Sequence, residues 1–278
     1  MILLPLVEEQ FSSEVKLCYQ KRDPLYANLV TVRPVPVGDK TYFNRSHAGT
    51  PAGQKARFGK IPRNGGSLDR VPCELQTYYA SDEIDEQEVS STSANGMLVI
   101  TDNAVASMNQ RIDGVILDAI NTSTQTVAAA ATDGMTLDVA KAIWKHFVNN
   151  HVFENKEMPI VTVGPEQWDK LMSIEQFYKS SSITYNDLPY LFTKAQTGRF
   201  WMDMVWRVDS SLPRTNEAST NYTQINAFVK SCVGLALGGI DKTRVVETDD
   251  DTILYYIRRK FGAALIDETG ALSIKCKD

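Results

Sequence analysis

The sequence predicts an α+β protein whose strands and helices fall in separate blocks instead of alternating regularly. Three observations carry this. Residues 97–120, MLVITDNAVASMNQRIDGVILDAI, read as one long helix. Two extended stretches, 30–45 and 68–80, flank a segment rich in glycine and proline. From Gly198 to the end the chain reads mostly as strand and turn.

Taken in order, residues 6–20 carry Val7, Phe11, Val15 and Cys18 at the spacing of a short amphipathic helix, closed by Asp23-Pro24. Residues 29–37 are β-branched but hold Pro34 and Pro36, which restricts them to an edge strand or an extended arm. Extended character resumes at Lys40–Phe43. The next stretch, SHAGTPAGQKARFGKIPRNGGS (46–67), contains five glycines and two prolines, which forbid regular structure. With its flanks it reads as a long two-stranded ribbon with a flexible tip.

Charge is segregated along this ribbon. Between 40 and 68 stand six bases, Lys40, Arg45, Lys55, Arg57, Lys60 and Arg63, and no acid. Between 69 and 88 stand seven acids, Asp69, Glu74, Asp82, Glu83, Asp85, Glu86 and Glu88, against Arg70 alone. The run 82–88 reads as a solvated helix turn or a salt-bridging face, and Ser90–Ser93 as a polar hinge.

In the long helix Leu98, Val105, Ile112 and Ala119 recur every seven residues. Met108 and Val115 fall at the complementary spacing, so both sets share one face. Asp102, Asn109, Gln110, Arg111, Asp113 and Asp118 mark the polar face, and Asn95 is the expected N-cap. At 1.5 Å per residue the helix would be roughly 36 Å long, which suits an elongated subunit. Gly114 lies in its interior, where glycine costs about 1 kcal/mol relative to alanine. That points either to close backbone approach or to a place where the helix bends.

A small-residue loop, 121–134, precedes a second helix through Leu137, Ile143 and Phe147, N-capped by Thr136. Residues 159–163 read as a short buried strand, Gly164-Pro165 as a helix start, and 174–179 as one further turn. Residues 200–208 alternate as one strand, 212–223 read as a polar loop, and 225–237 alternate again up to Gly238-Gly239. Strands 243–247 and 252–261 flank an acidic turn at Asp249–Asp251. The chain closes with a predicted hairpin, 263–266 and 271–276, around Asp267–Gly270.

Catalytic patterns are sparse. His146 and His151 are five residues apart and do not share a helix face, and His47 stands alone in the loop. Gly234–Gly239, GLALGG, lacks the spacing of a phosphate-binding loop. Cys18, Cys73, Cys232 and Cys276 form no CxxC pair and read as free thiols. A net charge of −5 argues against a dedicated nucleic-acid binder. The opening MILLPLVEEQ carries no signal pattern, and no stretch has the apolar length of a membrane span. The expectation is a soluble cytoplasmic product with no cofactor, no metal and no membrane partner.

The order of parts resembles the major capsid proteins of tailed bacteriophages, with the Hong Kong 97-type fold. The best-matching pieces are 97–120, similar to that family's spine helix, MPIVTVGPEQWDKL (158–171), similar to the strand–helix step of its axial domain, and FGAALIDETGALSIKC (261–276), similar to its closing hairpin. The resemblance implies an N-terminal arm at 1–29 and a β-ribbon extended loop at 30–80. It also implies a peripheral domain at 81–124 with 241–278, and an α/β axial domain at 125–240. It implies a subunit without catalysis that assembles with itself, as pentamers and hexamers, into an icosahedral shell around phage double-stranded DNA. The shell would form in the host bacterial cytoplasm and become part of the virion. A separate scaffold protein, a portal and decoration proteins are the further partners it implies.

In that frame Lys55, Arg57, Phe58, Lys60 and Arg63 of the loop are expected to contact Asp82, Glu83, Asp85 and Glu86 of another subunit. Gly114 is the expected bend of the spine helix. Two other readings are kept: an encapsulin-like shell enclosing protein cargo, and a metal-dependent enzyme using the 82–88 carboxylates.

Overall fold

The computed structural model describes residues 24–35, 38–47, 52–55, 57–61, 63, 65–85, 94–127, 134–179, 181–183, 198–217, 220–247 and 252–278. The expected helix at 6–20 and the hinge at Ser90–Ser93 lie outside them.

The long helix, α1 (Ala94–Asn121), is present and slightly longer than expected. It starts ahead of Asn95, which therefore lies in its first turn and does not cap it. Its buried residues include Met108, Ile112, Ile116, Leu117 and Ile120, so the seven-residue pattern holds over the C-terminal half. Two positions depart from it. Val105 is exposed, and Asp113, expected on the polar face, is buried.

A four-stranded sheet packs on α1 in the order β1 (Thr31–Val35), β11 (Val233–Glu247), β12 (Thr252–Leu265), β4 (Gln76–Asp85). β1 is an edge strand, as its proline requires, and runs parallel to β11. The ribbon proper is β2 (Lys40–His47) paired antiparallel with β3 (Ser67–Glu74). It is shorter than the 30–80 stretch, because β1 and β4 at its two ends belong to the sheet. The acidic residues Asp82, Glu83 and Asp85 are correspondingly in strand β4 and not in a helix turn. An edge strand with one open side can carry charges that a central strand could not.

The second sheet runs β13 (Ala271–Lys277), β10 (Thr220–Phe228), β5 (Ile160–Val163), β8 (Met204–Val208), β7 (Gly198–Trp201), β6 (Ser181–Ile183), with β9 (Arg214–Glu217) also on β10. Helices α2 (Leu137–Asn149), α3 (Pro165–Met172) and the single turn α4 (Glu175–Tyr178) surround one core with it, built on Phe147, Val161, Phe177, Trp206 and Ile225. Thr136 caps α2 by accepting from the Val139 amide, and Pro165 opens α3. The other core combines α1 with Leu235 and Phe261 of the small sheet and Ile160, Val205 and Phe228 of the large one.

Four strand readings are corrected. The run 225–237 is split, with β10 ending at Phe228 and β11 starting at Val233 in the other sheet, across a 3-10 turn at Lys230–Cys232. The alternating run 200–208 is two strands, because Met202 and Asp203 adopt positive φ of 53° and 57° and form a tight hairpin turn. The polar stretch 212–223 contains the hairpin β9–β10. The closing segments do not form a hairpin. β12 pairs with β11 and β4, whereas β13 pairs with β10 in the other sheet. Strand membership therefore crosses the expected division, with 271–277 in the larger sheet and 31–35 and 233–238 in the smaller.

Candidate inter-subunit contact surfaces

The ribbon tip is open to solvent. Lys55, Arg57, Lys60 and Arg63 are exposed, Phe58 is 93% exposed and Ile61 75%. The Arg57 guanidinium lies 5.6 Å from the Phe58 ring centroid, so charge and aromatic form one unit. Large apolar side chains this open single the tip out as a candidate contact surface.

The ribbon stem neutralises part of its own charge. Lys40 pairs with Glu74 at 2.6 Å, and the Asp69 carboxylate lies 3.6 Å from the Arg45 guanidinium and 2.8 Å from the His47 ring nitrogen. Two of the seven acids, Glu74 and Asp69, are thus used inside the ribbon, and the next acids along the chain stand on β4. Asp82 and Glu83 are exposed there. Asp85 ends the strand, and Glu86 lies outside the described residues.

The root of the ribbon is fixed on a bed of small residues. A Cβ at Gly262 would come within 2.1 Å of the Glu74 carbonyl oxygen, and one at Gly234 within 2.6 Å of the Phe43 ring. Phe43 packs there with Val35, Cys73, Leu75 and Ala236. Lys260 donates to the Gly38 carbonyl at 2.8 Å. It also bonds the Asp39 carboxylate, which holds that carboxyl below its usual range. GLALGG is thus the flat floor under the ribbon, not a phosphate loop.

These contacts give the ribbon a direction. β4 runs along β12 from Gln76 opposite Phe261 to Asp85 opposite Thr252. The ribbon advances the other way, from Glu74 over Gly262 to Phe43 over Gly234, and then to Arg45, which donates to the Ile266 carbonyl at 3.3 Å. The basic tip and the acidic end of β4 therefore leave the sheet at opposite ends.

Sequence reading missed a buried polar anchor. Asp113 accepts from the amides of Leu25 and Tyr26 at 2.9 and 3.0 Å. The Tyr26 hydroxyl donates to Asp209 at 2.6 Å, and Arg207 donates to the Leu25 carbonyl at 3.4 Å. Burial first, then the Asp209 charge, pushes the Tyr26 hydroxyl well up from its ordinary pKa. The segment just before the ribbon is thereby bolted to α1 and to β8. The seven-residue pattern puts Asp113 with the polar residues of α1, so the sequence carries no signal of its burial.

At Gly114 an added Cβ would meet nothing nearer than Arg111 Nη1 at 3.9 Å, an ordinary contact. Close backbone packing therefore does not explain this glycine. Among the described residues no group of His, Cys, Asp and Glu could hold a metal. Cys73, Cys232 and Cys276 are buried free thiols. Burial pushes the last two up to about 12 and about 11, far from the range of a reactive thiolate.

The exposed tip and the strand β4 are the candidate contact surfaces, and comparison says with which proteins the chain is grouped. The family described as phage capsid protein matches residues 5–278. The chain belongs to the phage capsid protein family. As a phage capsid protein it is a shell-forming structural component of the virion, and the match does not favour an encapsulin-like compartment. Its fold is that of solved phage capsids. The capsid of Ralstonia phage GP4 aligns with TM-score 0.70 at 10% identity, covering 96% of this chain and 94% of that one. Mycobacterium phage Che8 aligns at 0.67 and 14%, covering 94% of each. The head of Helicobacter pylori bacteriophage KHP40 aligns at 0.66 and 12%, covering 95% and 93%. Comparison of the sequence with curated proteins finds no match.

Proposed function

We propose that this capsid protein closes, by self-assembly into pentamers and hexamers, an icosahedral shell around phage double-stranded DNA. The ribbon acts as the extended loop that lies on another copy. The observation that carries this reading is the uncovered tip, with Phe58 and Ile61 in water and four bases around them, directed away from the chain's own acidic strand end. Arg57, Lys60 and Arg63 of one copy meet the acids at 82–86 of the next. The peripheral part is α1 with the four-stranded sheet, and the axial part is the seven-stranded sheet with its helices. Assembly takes place in the host bacterial cytoplasm with a separate scaffold protein and a portal, and decoration proteins bind the closed shell. Gly114 is where α1 bends as the shell rearranges.

The test is to express the full chain and image it by negative stain, with nucleic-acid content measured on purified particles. Closed particles or capsomers are expected. A monodisperse species of 31.0 kDa at every salt and protein concentration would overturn the reading.

A further inference from the structure

We propose that the start of α3 is a carboxylate socket, built from Gln167, Thr223 and Lys170, that holds Asp278 and thereby locks β13 into the larger sheet. The socket does not depend on how copies assemble, because every part of it lies within one chain.

Separate segments of the chain converge there. Asp278 Oδ1 accepts from Gln167 Nε2 at 2.7 Å and from the Thr223 hydroxyl. The Asp278 amide donates to the Asn221 carbonyl at 3.0 Å. One residue back, the Lys277 carbonyl accepts from the Lys170 ammonium at 3.3 Å. Gln167 and Thr223 are fully buried. A buried amide and a buried hydroxyl aimed at one oxygen suit a charged acceptor, since charge-assisted bonds are the stronger ones. Gln167 is the third residue of α3 and Gly164 is its N-cap, so the positive end of the helix lies beside the carboxylate.

Two glycines leave the space this needs. A Cβ at Gly164 would come within 2.5 Å of Gln167 Oε1 and 3.0 Å of Thr223 Cγ2. One at Gly134, where φ is +78°, would come within 3.1 Å of the Lys277 carbonyl oxygen. Gln167 Oε1 is buried with no hydrogen-bond partner among the described residues. An amide that forgoes one bond in the interior to make the other marks the contact with Asp278 as the reason for its burial. The position gives the socket its effect. β13 is the edge strand on β10, and its Leu272, Ile274 and Cys276 alternate into the core. Cys276 stands opposite Thr223, so the strand enters the socket as soon as that thiol is seated. An edge strand has a partner on one side only and opens from its ends. The socket pins the end away from the turn at Asp267–Gly270.

The test uses the full chain with Asp278→Ala, read by hydrogen exchange at the amides of Ile274 and Cys276. The Val205 amide, bonded to the Pro159 carbonyl, is the internal reference. The variant should exchange about tenfold faster at the two β13 positions and at an unchanged rate at Val205. Sodium formate, compared with sodium chloride at equal ionic strength, should restore the protection saturably. It should change neither wild type nor Asp278→Ala combined with Gln167→Ala. Asp278→Asn should fall between wild type and Asp278→Ala. Unchanged exchange in Asp278→Ala, a loss that formate does not restore, or a restoration that survives Gln167→Ala would each overturn the socket. Wild-type exchange in Asp278→Asn would do the same, since a neutral amide would then serve as well as a carboxylate. Should Asp278→Ala fail to fold, Thr223→Val decides, because it keeps the carboxylate and removes one donor. Exchange at Ile274 and Cys276 should then rise severalfold, and no rise overturns the proposal.

Discussion

At the scale of single residues, Asp113 does the most with the least sequence signal. It is buried and takes two backbone amides of a segment far away in the chain. Asp113→Ala would leave both amides unbonded in the interior, at about 2–4 kcal/mol. Unassembled subunits of that variant should melt markedly lower than wild type by calorimetry, and Asp113→Asn, which keeps one acceptor, should fall in between. His146 gives a pH signature. Its ring nitrogen lies 3.0 Å from the Thr269 carbonyl, beside the Asn150 amide. Burial lowers its pKa from the usual 6.5. A histidine depressed in the folded state binds protons more readily once unfolded, so stability is complete above pH 6.5. It is lost as pH falls from there through the folded value. Between pH 7 and 5 the melting temperature of His146→Gln should therefore drop less than that of wild type. An equal drop would assign the acid sensitivity to other groups.

At the scale of elements, α1 can be tested through its one interior glycine. Gly114→Ala meets no tight contact and should strengthen the helix by roughly 1 kcal/mol. If bending there serves the shell, subunits melt higher while particles form or rearrange more slowly. Unchanged assembly with raised stability would remove the bending role.

What was legible in the sequence follows from how local each cause is. α2, β5 and α3 were readable because Thr136, a run of buried β-branched residues and Gly164-Pro165 act within a few positions. The turn at Met202-Asp203 was hidden because it carries no glycine, and Met202, unlike Asp203, is not a residue that favours positive φ. The false closing hairpin has the opposite cause. The turn at Asp267–Gly270 is real, with Asp267 accepting from the Thr269 amide, but β10 captures β13 over a long sequence separation. The tip was legible from its glycines, prolines and bases. Its seat on Gly234 and Gly262 was not, because only the fold brings them under Phe43 and Glu74.

At the scale of the whole molecule, a basic tip and an acidic strand end leave the subunit in opposite directions, which favours head-to-tail contact between copies. Each exposed pair contributes only about 0–1 kcal/mol, yet repetition around a shell lets small terms set register and assembly rate. Reversing Arg57, Lys60 and Arg63 to Glu, or Glu83, Asp85 and Glu86 to Lys, should each block assembly, and combining the two sets should recover part of it. Light scattering against salt concentration gives the second measure. The defect of each set should weaken as screening rises, since the Debye length is about 10 Å at 0.1 M. Normal assembly of both single sets would remove charge from the account.

The glycine floor beneath the ribbon has a mechanical meaning. With backbone laid on backbone at Gly262 and the Phe43 ring flat on Gly234, the ribbon is a cantilever clamped at one end, and its free end magnifies any tilt of the clamp. The lever is the stretch beyond the Arg45 contact, and a tilt of about 5° at the root moves its end by about 1 Å for roughly every 10 Å of reach. A methyl group added at position 234 would wedge the clamp open. Its cost to the subunit, about 1–3 kcal/mol, would be shared by every copy, but the angular error would add up around the circumference. Gly234→Ala particles should therefore differ from wild type in diameter, read from micrographs, more clearly than in melting temperature.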